Sequence, residues 1–235
     1  MASSENSPAP ESRDRKPALI FVGALAAIAV VVVAIVLITG GGDDSDEGGS
    51  SDFADVTECQ DVPEAQPKDV KLDAPDAQEP TAQGVEFVTS CGAFTVTFDE
   101  GSPKTAASMQ YLAEQGVYDD TGFHRIVPGF VIQGGDPAAD GTGGPGYSVT
   151  EAPAKDAQYT EGVVAMAKSG TEAPGTSGSQ FFVVTGKDAG LPPDYAIAGT
   201  VTDGMDTVQR IADQGVQDGV PPKMPVIIES ATPVE

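Results

Sequence analysis

Over residues 84–235 the sequence predicts a mainly-β domain, either a closed antiparallel barrel or a sandwich. Three observations predict it. The apolar runs are short and separated by Gly- and Pro-rich clusters, only two stretches carry a helical pattern, and no internal repeat is present. About 150 residues suffice for one hydrophobic core. The 83 residues ahead of them divide into a tail, an apolar run and an acidic tract.

Residues 1–17 carry Arg13, Arg15 and Lys16 and read as a cytoplasmic tail. Residues 18–38, ALIFVGALAAIAVVVVAIVLI, hold no charge and are long enough for a transmembrane helix. A basic flank before the run and Asp43, Asp44, Asp46 and Glu47 after it place the C-terminal portion outside the cytoplasm. A cleaved signal peptide is the rival, but the run exceeds a usual h-region and no A-x-A site ends it. The expected location is therefore a cell membrane, single-pass, with the folded domain extracytoplasmic. Residues 39–83 are expected to be a disordered linker. From Gly40 to Gln83 there are thirteen acidic residues, two lysines and little apolar surface to offset ordering entropy. Cys59 lies in this linker and Cys91 in the domain. Outside the cytoplasm an even cysteine count favours a disulfide closing a loop of about thirty residues, which would contribute about 3 kcal/mol; two free cysteines are the alternative.

Within the domain, VEFVTSCGAFTVTF (85–98) reads as two strands around Cys91-Gly92. SPKTAASMQYLAEQG (102–116) reads as a helix. Ser102 can cap it, Pro103 suits its first turn and Gly116 its end, and Ala106, Met109, Leu112 and Ala113 give one apolar face. FVIQ (130–133), VVAMA (163–167), FFVVT (181–185), AIAGTV (196–201) and VIIES (226–230) read as strands. MDTVQRIADQG (205–215) reads as a second helix.

Composition excludes several chemistries. A net charge of -24 excludes a nucleic-acid partner. One histidine and two widely spaced cysteines supply no metal cluster. GTGGPG (141–146) lacks the Lys-Ser/Thr of a phosphate loop, and GTSGSQ (175–180) is not a nucleophile elbow. Ser179 and His124 have no evident acidic orienter. One segment stands out. FHRIVPGFVIQGGD (123–136) sets His124 and Arg125 among apolar residues, with no acidic residue nearer in sequence than Asp120 and Asp136.

The ordered set PKTAASMQYL, FHRIVPGFVIQGGDP, GTGGPGY, VVAMAKSG, SGSQFFVVT and AIAGTV resembles the cyclophilins, the peptidyl-prolyl cis/trans isomerases, over about 93–230. The resemblance is to a bacterial, membrane-anchored member. It implies an eight-stranded closed antiparallel barrel capped by two helices. It also implies isomerisation of X-Pro bonds in exported polypeptides by a monomer that needs no cofactor or metal. It assigns Arg125, Gln133 and His124 to the catalytic group, with Gln133 helping to hold the arginine. Phe130, Val131, Phe182 and Leu191 would line the proline pocket. Ala167, Lys168 and Ser169 would be the strand edge that pairs with the substrate backbone, Gln180 and Tyr195 would also bind substrate, and Gly141 and Thr142 would border the neighbouring pocket. Three departures carry expectations. Lys168 stands where Asn is common and would favour acidic neighbours of the proline. Gly190 stands where many members have Trp, which would weaken cyclosporin binding. Ala198 stands where Phe is usual and would widen the site. A catalytically weak proline-peptide binding module tethered to the membrane is the alternative.

Overall fold

The computed structural model describes residues 57–235. The tail 1–17, the span 18–38 and residues 39–56 lie outside the described residues. In chain order the elements are β1 (Gly84–Thr89), β2 (Gly92–Phe98), α1 (Pro103–Glu114), β3 (Thr121–Gly122), β4 (Arg125–Val127) and β5 (Val131–Gly134). They continue with β6 (Val149–Thr150), β7 (Val163–Met166), β8 (Thr176–Ser177), β9 (Phe181–Val184), β10 (Ile197–Asp203), α2 (Met205–Ala212) and β11 (Ile227–Val234). The segments expected to be strands all become strands. The two-residue β3, β6 and β8 and the three-residue β4 are too short for an alternating pattern to mark them in sequence.

Nine strands form one antiparallel sheet in the order β3-β11-β1-β2-β10-β7-β9-β5-β4, and β6 pairs separately with β8. Its two end strands are separated in the chain only by Phe123 and His124. The sheet therefore curls until its ends return to one dipeptide. No ladder joins β3 to β4 among the described residues, so the eight-stranded closed barrel expected from the resemblance is found as a curled half-barrel of nine strands with two helices.

The inner face holds the main core. Phe87 stacks on Phe94 with centroids 5.2 Å apart, and Phe181 meets both Phe87 and Tyr118. Helix α1 lays Ala106, Met109, Leu112 and Ala113 on this core, as its apolar face requires. Its N-terminus corrects the sequence reading. Ser102 is the capping residue by position but makes no capping hydrogen bond. The Glu151 carboxylate instead accepts from the backbone N–H groups of Thr105 (2.8 Å) and Lys104 (3.3 Å), placing a negative charge at the positive helix end.

Residues 57–83 correct the expectation of a disordered linker. They run as an extended strap on the domain. Gln60 N–H donates to Ser90 O (2.7 Å), Lys68 N–H to Pro137 O (2.8 Å), Leu72 N–H to Pro145 O (2.7 Å) and Gln83 N–H to Val234 O (2.8 Å). Cys59 and Cys91 form a disulfide. The Lys68 ammonium donates to the carbonyls of Gly116, Val117 and Asp119, just past the C-terminal end of α1, where a cation is favoured. Gln110 of α1 accepts from the N–H groups of Thr81 and Ala82. Composition missed this because the strap is held by backbone groups and a few anchors, with Val70 and Leu72 packed on the core. Cys59→Ser is expected to lower unfolding free energy by about 3 kcal/mol, read from the urea midpoint, and added reductant should then shift the variant no further.

Candidate functional site

The sheet's register builds the site. Across β4, β5, β9, β7 and β10 the pairs Arg125–Gln133, Gln133–Phe182, Phe182–Ala165 and Ala165–Ile197 make one continuous row. Side chains alternate along a strand, so this row and the Val131–Val184 pair face outward while Ile126, Ile132, Val183 and Val164 face the core. These strands read as near-continuous apolar runs because both faces are apolar. The outer face carries a second apolar cluster of Val131, Tyr159, Ala165, Phe182 and Val184. Phe130, Leu191, Tyr195 and Ile197 are partly buried against it.

Arg125 stands at the end of this row. Its Cζ lies 5.6 Å from the centre of the Phe130 ring, within cation–π range. The ion pairs among the described residues are Lys168–Asp194 and Arg210–Asp206, so no carboxylate partners Arg125 there. Nor does Gln133 hold it. The Gln133 amide donates to Gln180 Oε1 (3.2 Å), and Gln180 donates onward to the carbonyls of Gly141 (3.1 Å) and Gly143 (2.9 Å). The two glutamines thus tie the strand row to the glycine-rich loop. That loop is shaped by Asp136, whose buried carboxylate accepts from the N–H groups of Ala138, Asp140 and Gly141.

Beside the row opens a cavity of about 730 Å³. Gln133, Gly141, Thr142, Ala167, Lys168 and Gln180 are among its walls. Lys168 does not present its charge there. Its ammonium pairs with Asp194 at 2.8 Å, donates to the carbonyls of Ser169 and Glu172, lies over the Tyr195 ring, and its side chain is 4% exposed. The expected preference for acidic neighbours of the proline therefore loses its source. Gly190 sits exposed in a turn at φ +62°, a conformation that disfavours any larger residue.

Ala198 is a second correction. It is 0% exposed and belongs to the inner core, with Ala196. Its neighbour Ile197 is the residue on the pocket side, so a small residue at 198 leaves the site's width unchanged. Tyr159 escaped sequence reading altogether. Its hydroxyl donates to Tyr195 O (2.7 Å) and accepts from Tyr195 N–H (3.0 Å), fixing the aromatic that packs edge-on to Phe182 at 5.4 Å. It lies in a loop, where no periodicity marks a packed residue.

His124 lines a second cavity of about 610 Å³ with Phe123, Ala139 and Pro221. Its Nδ1 is buried without a partner. Burial, more than the nearby Arg125, pulls its pKa below the usual imidazole range, and Asp136 opposes this. Burial thus favours the neutral imidazole.

Residues 84–233 match the family model described as cyclophilin type peptidyl-prolyl cis-trans isomerase/CLD. The chain belongs to the cyclophilins. It is an enzyme, a peptidyl-prolyl cis-trans isomerase. It is similar to peptidyl-prolyl cis-trans isomerase B of Bacillus subtilis, 37% identical over 124 residues that cover 52% of this chain and 85% of that one. A probable peptidyl-prolyl cis-trans isomerase B of Mycobacterium leprae is 40% identical over 148 residues, covering 55% of this chain and 49% of that protein. Among solved structures, a Cryptosporidium parvum cyclophilin crystallised in the presence of the dipeptide Ala-Pro is 30% identical. It has a TM-score of 0.59, covering 65% of this chain and 99% of that one.

Two outcomes are expected. Ala198→Phe should overpack the core and lower stability by about 1–3 kcal/mol without tightening peptide binding, measured by urea unfolding and NMR titration. The second concerns His124. Its folded pKa lies below the unfolded value, so the unfolded chain binds the proton more tightly. Its contribution is full above about pH 6.5 and is lost as pH falls below that. His124→Asn should therefore lose less stability than the parent on acidification from about pH 7 to pH 5, measured by thermal unfolding.

Proposed function

We propose that this cyclophilin accelerates X-Pro rotation by donating from the Arg125 guanidinium to the prolyl nitrogen, with the ring seated on the outer apolar cluster. The observation that carries this is the placement, at the edge of that cluster, of an arginine with no carboxylate partner among the described residues. Rotation about an X-Pro bond is slow because resonance makes the C–N bond partly double, with a barrier of about 18–20 kcal/mol. No bond breaks, so no nucleophile is needed. In the twisted amide the nitrogen regains its lone pair and becomes an acceptor, which the planar forms are not. A donor aimed there stabilises the transition state alone. A guanidinium stays charged at working pH and offers rigidly placed N–H groups.

Phe130, Val131, Phe182, Leu191 and Ile197 form the seat for the ring. Proline-containing polypeptide is the substrate, in keeping with the Ala-Pro dipeptide of the Cryptosporidium parvum structure. Ala167 N–H donates to Gln180 O (2.8 Å), and the glycine-rich loop faces them across the cavity that would take residues neighbouring the proline. A merely binding module would need no donor at nitrogen, and Ala198 no longer favours one. We further read β3 and β4 as halves of one strand, which makes eight strands and closes the ring; the two-residue interval between them supports this. The enzyme would act as a monomer, anchored by residues 18–38 with its domain outside the membrane, on exported chains. The charge-free run and its basic flank support that location.

In the full-length protein, Arg125→Ala is expected to lower kcat for an Ala-Pro peptide by about 100-fold while changing KM little, measured by NMR exchange. Unchanged exchange in the variant would remove Arg125 from the chemistry.

A further inference from the structure

Arg125 lacks the support from Gln133 that the resemblance implied, so something else must fix its long side chain. The structure points to the loop after α2. The base of this loop is closed by Lys223, whose N–H donates to Gln214 O (2.7 Å) and whose ammonium donates to Asp213 O (2.6 Å). Between these residues a turn brings Gly219 N–H to Val216 O (2.9 Å), and Gly219 O accepts from Ile126 N–H (2.9 Å). The turn thus hydrogen-bonds to β4 beside Arg125, while β5 pairs with the same strand.

Gly219 has φ +82° and lies beside the arginine stem. A Cβ built there would lie 2.7 Å from Val127 Cγ2, 3.3 Å from Arg125 Cγ and 3.7 Å from Arg125 Nε. Val127 is β-branched on a strand and has little freedom to yield. At the other end of the loop, the three atoms nearest a Cβ on Gly215 would belong to Ile126 and Pro128, at 2.7 Å. Both glycines allow close backbone approach, and the arginine stem is among the nearest atoms at Gly219 and not at Gly215.

We propose that Gly219 is a positioning residue. Its backbone braces the aliphatic stem of Arg125 while Phe130 holds the guanidinium, so the side chain is aimed without any of its N–H donors being used. This rests on the reading of Arg125 as the donor. A displaced stem moves a group that acts only in the transition state, so the defect belongs in kcat.

The test uses the full-length protein and an Ala-Pro peptide, with Gly219→Ala, Gly215→Ala, Arg125→Ala and the double variant Val127→Ala/Gly219→Ala. Gly219→Ala is expected to lower kcat at least tenfold with KM within about twofold, and Gly215→Ala to keep kcat within about threefold at comparable loss of thermal stability. The double variant removes the methyl nearest the new Cβ but leaves the arginine stem beside it, so it should regain the stability lost to that clash, though not the part lost to the positive φ, and stay slow. It also carries the test if Gly219→Ala alone fails to fold. Recovery of kcat together with stability in the double variant, or equal kcat losses at Gly215 and Gly219, would overturn the brace. Wild-type kcat in Arg125→Ala would instead overturn the reading beneath it.

Discussion

A catalytic guanidinium must be held firmly by contacts that leave its hydrogen bonds free. A carboxylate partner would fix Arg125 but occupy the N–H groups that a twisted amide needs. Among the described residues the chain supplies an aromatic face at Phe130 and a backbone turn at Gly219 instead. Both act on carbon stem or π-face. Elsewhere at the groove three polar side chains are engaged with one another or with the backbone. Lys168 is fully engaged, and Gln133 and Gln180 are joined to each other and to the loop. Among the described residues Arg125 is the cation at the groove that makes no ion pair.

That groove depends on a sheet with two apolar faces. A sheet that packed only inward would alternate apolar and polar residues and present water with a polar outer surface. Here β5, β9 and β7 carry apolar side chains on both sides, and the outer set makes the second apolar cluster. The tight hairpin that pairs the end strand β4 with β5 places Arg125 in register with Gln133 and, through it, with Phe182. One residue of slippage in β4 would turn Arg125 into the core and Ile126 into the groove.

Around this sheet the polar bonds that order loops come from far along the chain. Glu151 caps α1, Lys68 meets the carbonyls just past its other end, and Tyr159 fixes Tyr195. The strap joins the same pattern. Leu72 bonds to Pro145 of the loop that walls the larger cavity, and Gly146 leaves room for the crossing chain, since a Cβ there would lie 3.1 Å from Leu72 N. An acidic segment outside the matched family region thereby supports a wall of the site.

The sequence by itself determined the longer strands, the helices and their apolar faces, because these rest on local periodicity. The ordered motifs around Arg125 and Phe182 carried the family and its chemistry. Only the tertiary structure decided what depends on register and long-range contact. It set Ile197 rather than Ala198 on the pocket side, because a strand's faces alternate and the composition of AIAGTV does not say which face is which. It withdrew the charge of Lys168 into an ion pair with Asp194, a residue far along the chain. It set His124 in the wall of a second cavity, and it seated a stretch whose composition reads as solvated. Each of these is fixed by partners tens of residues away, and a single chain read locally has no access to them.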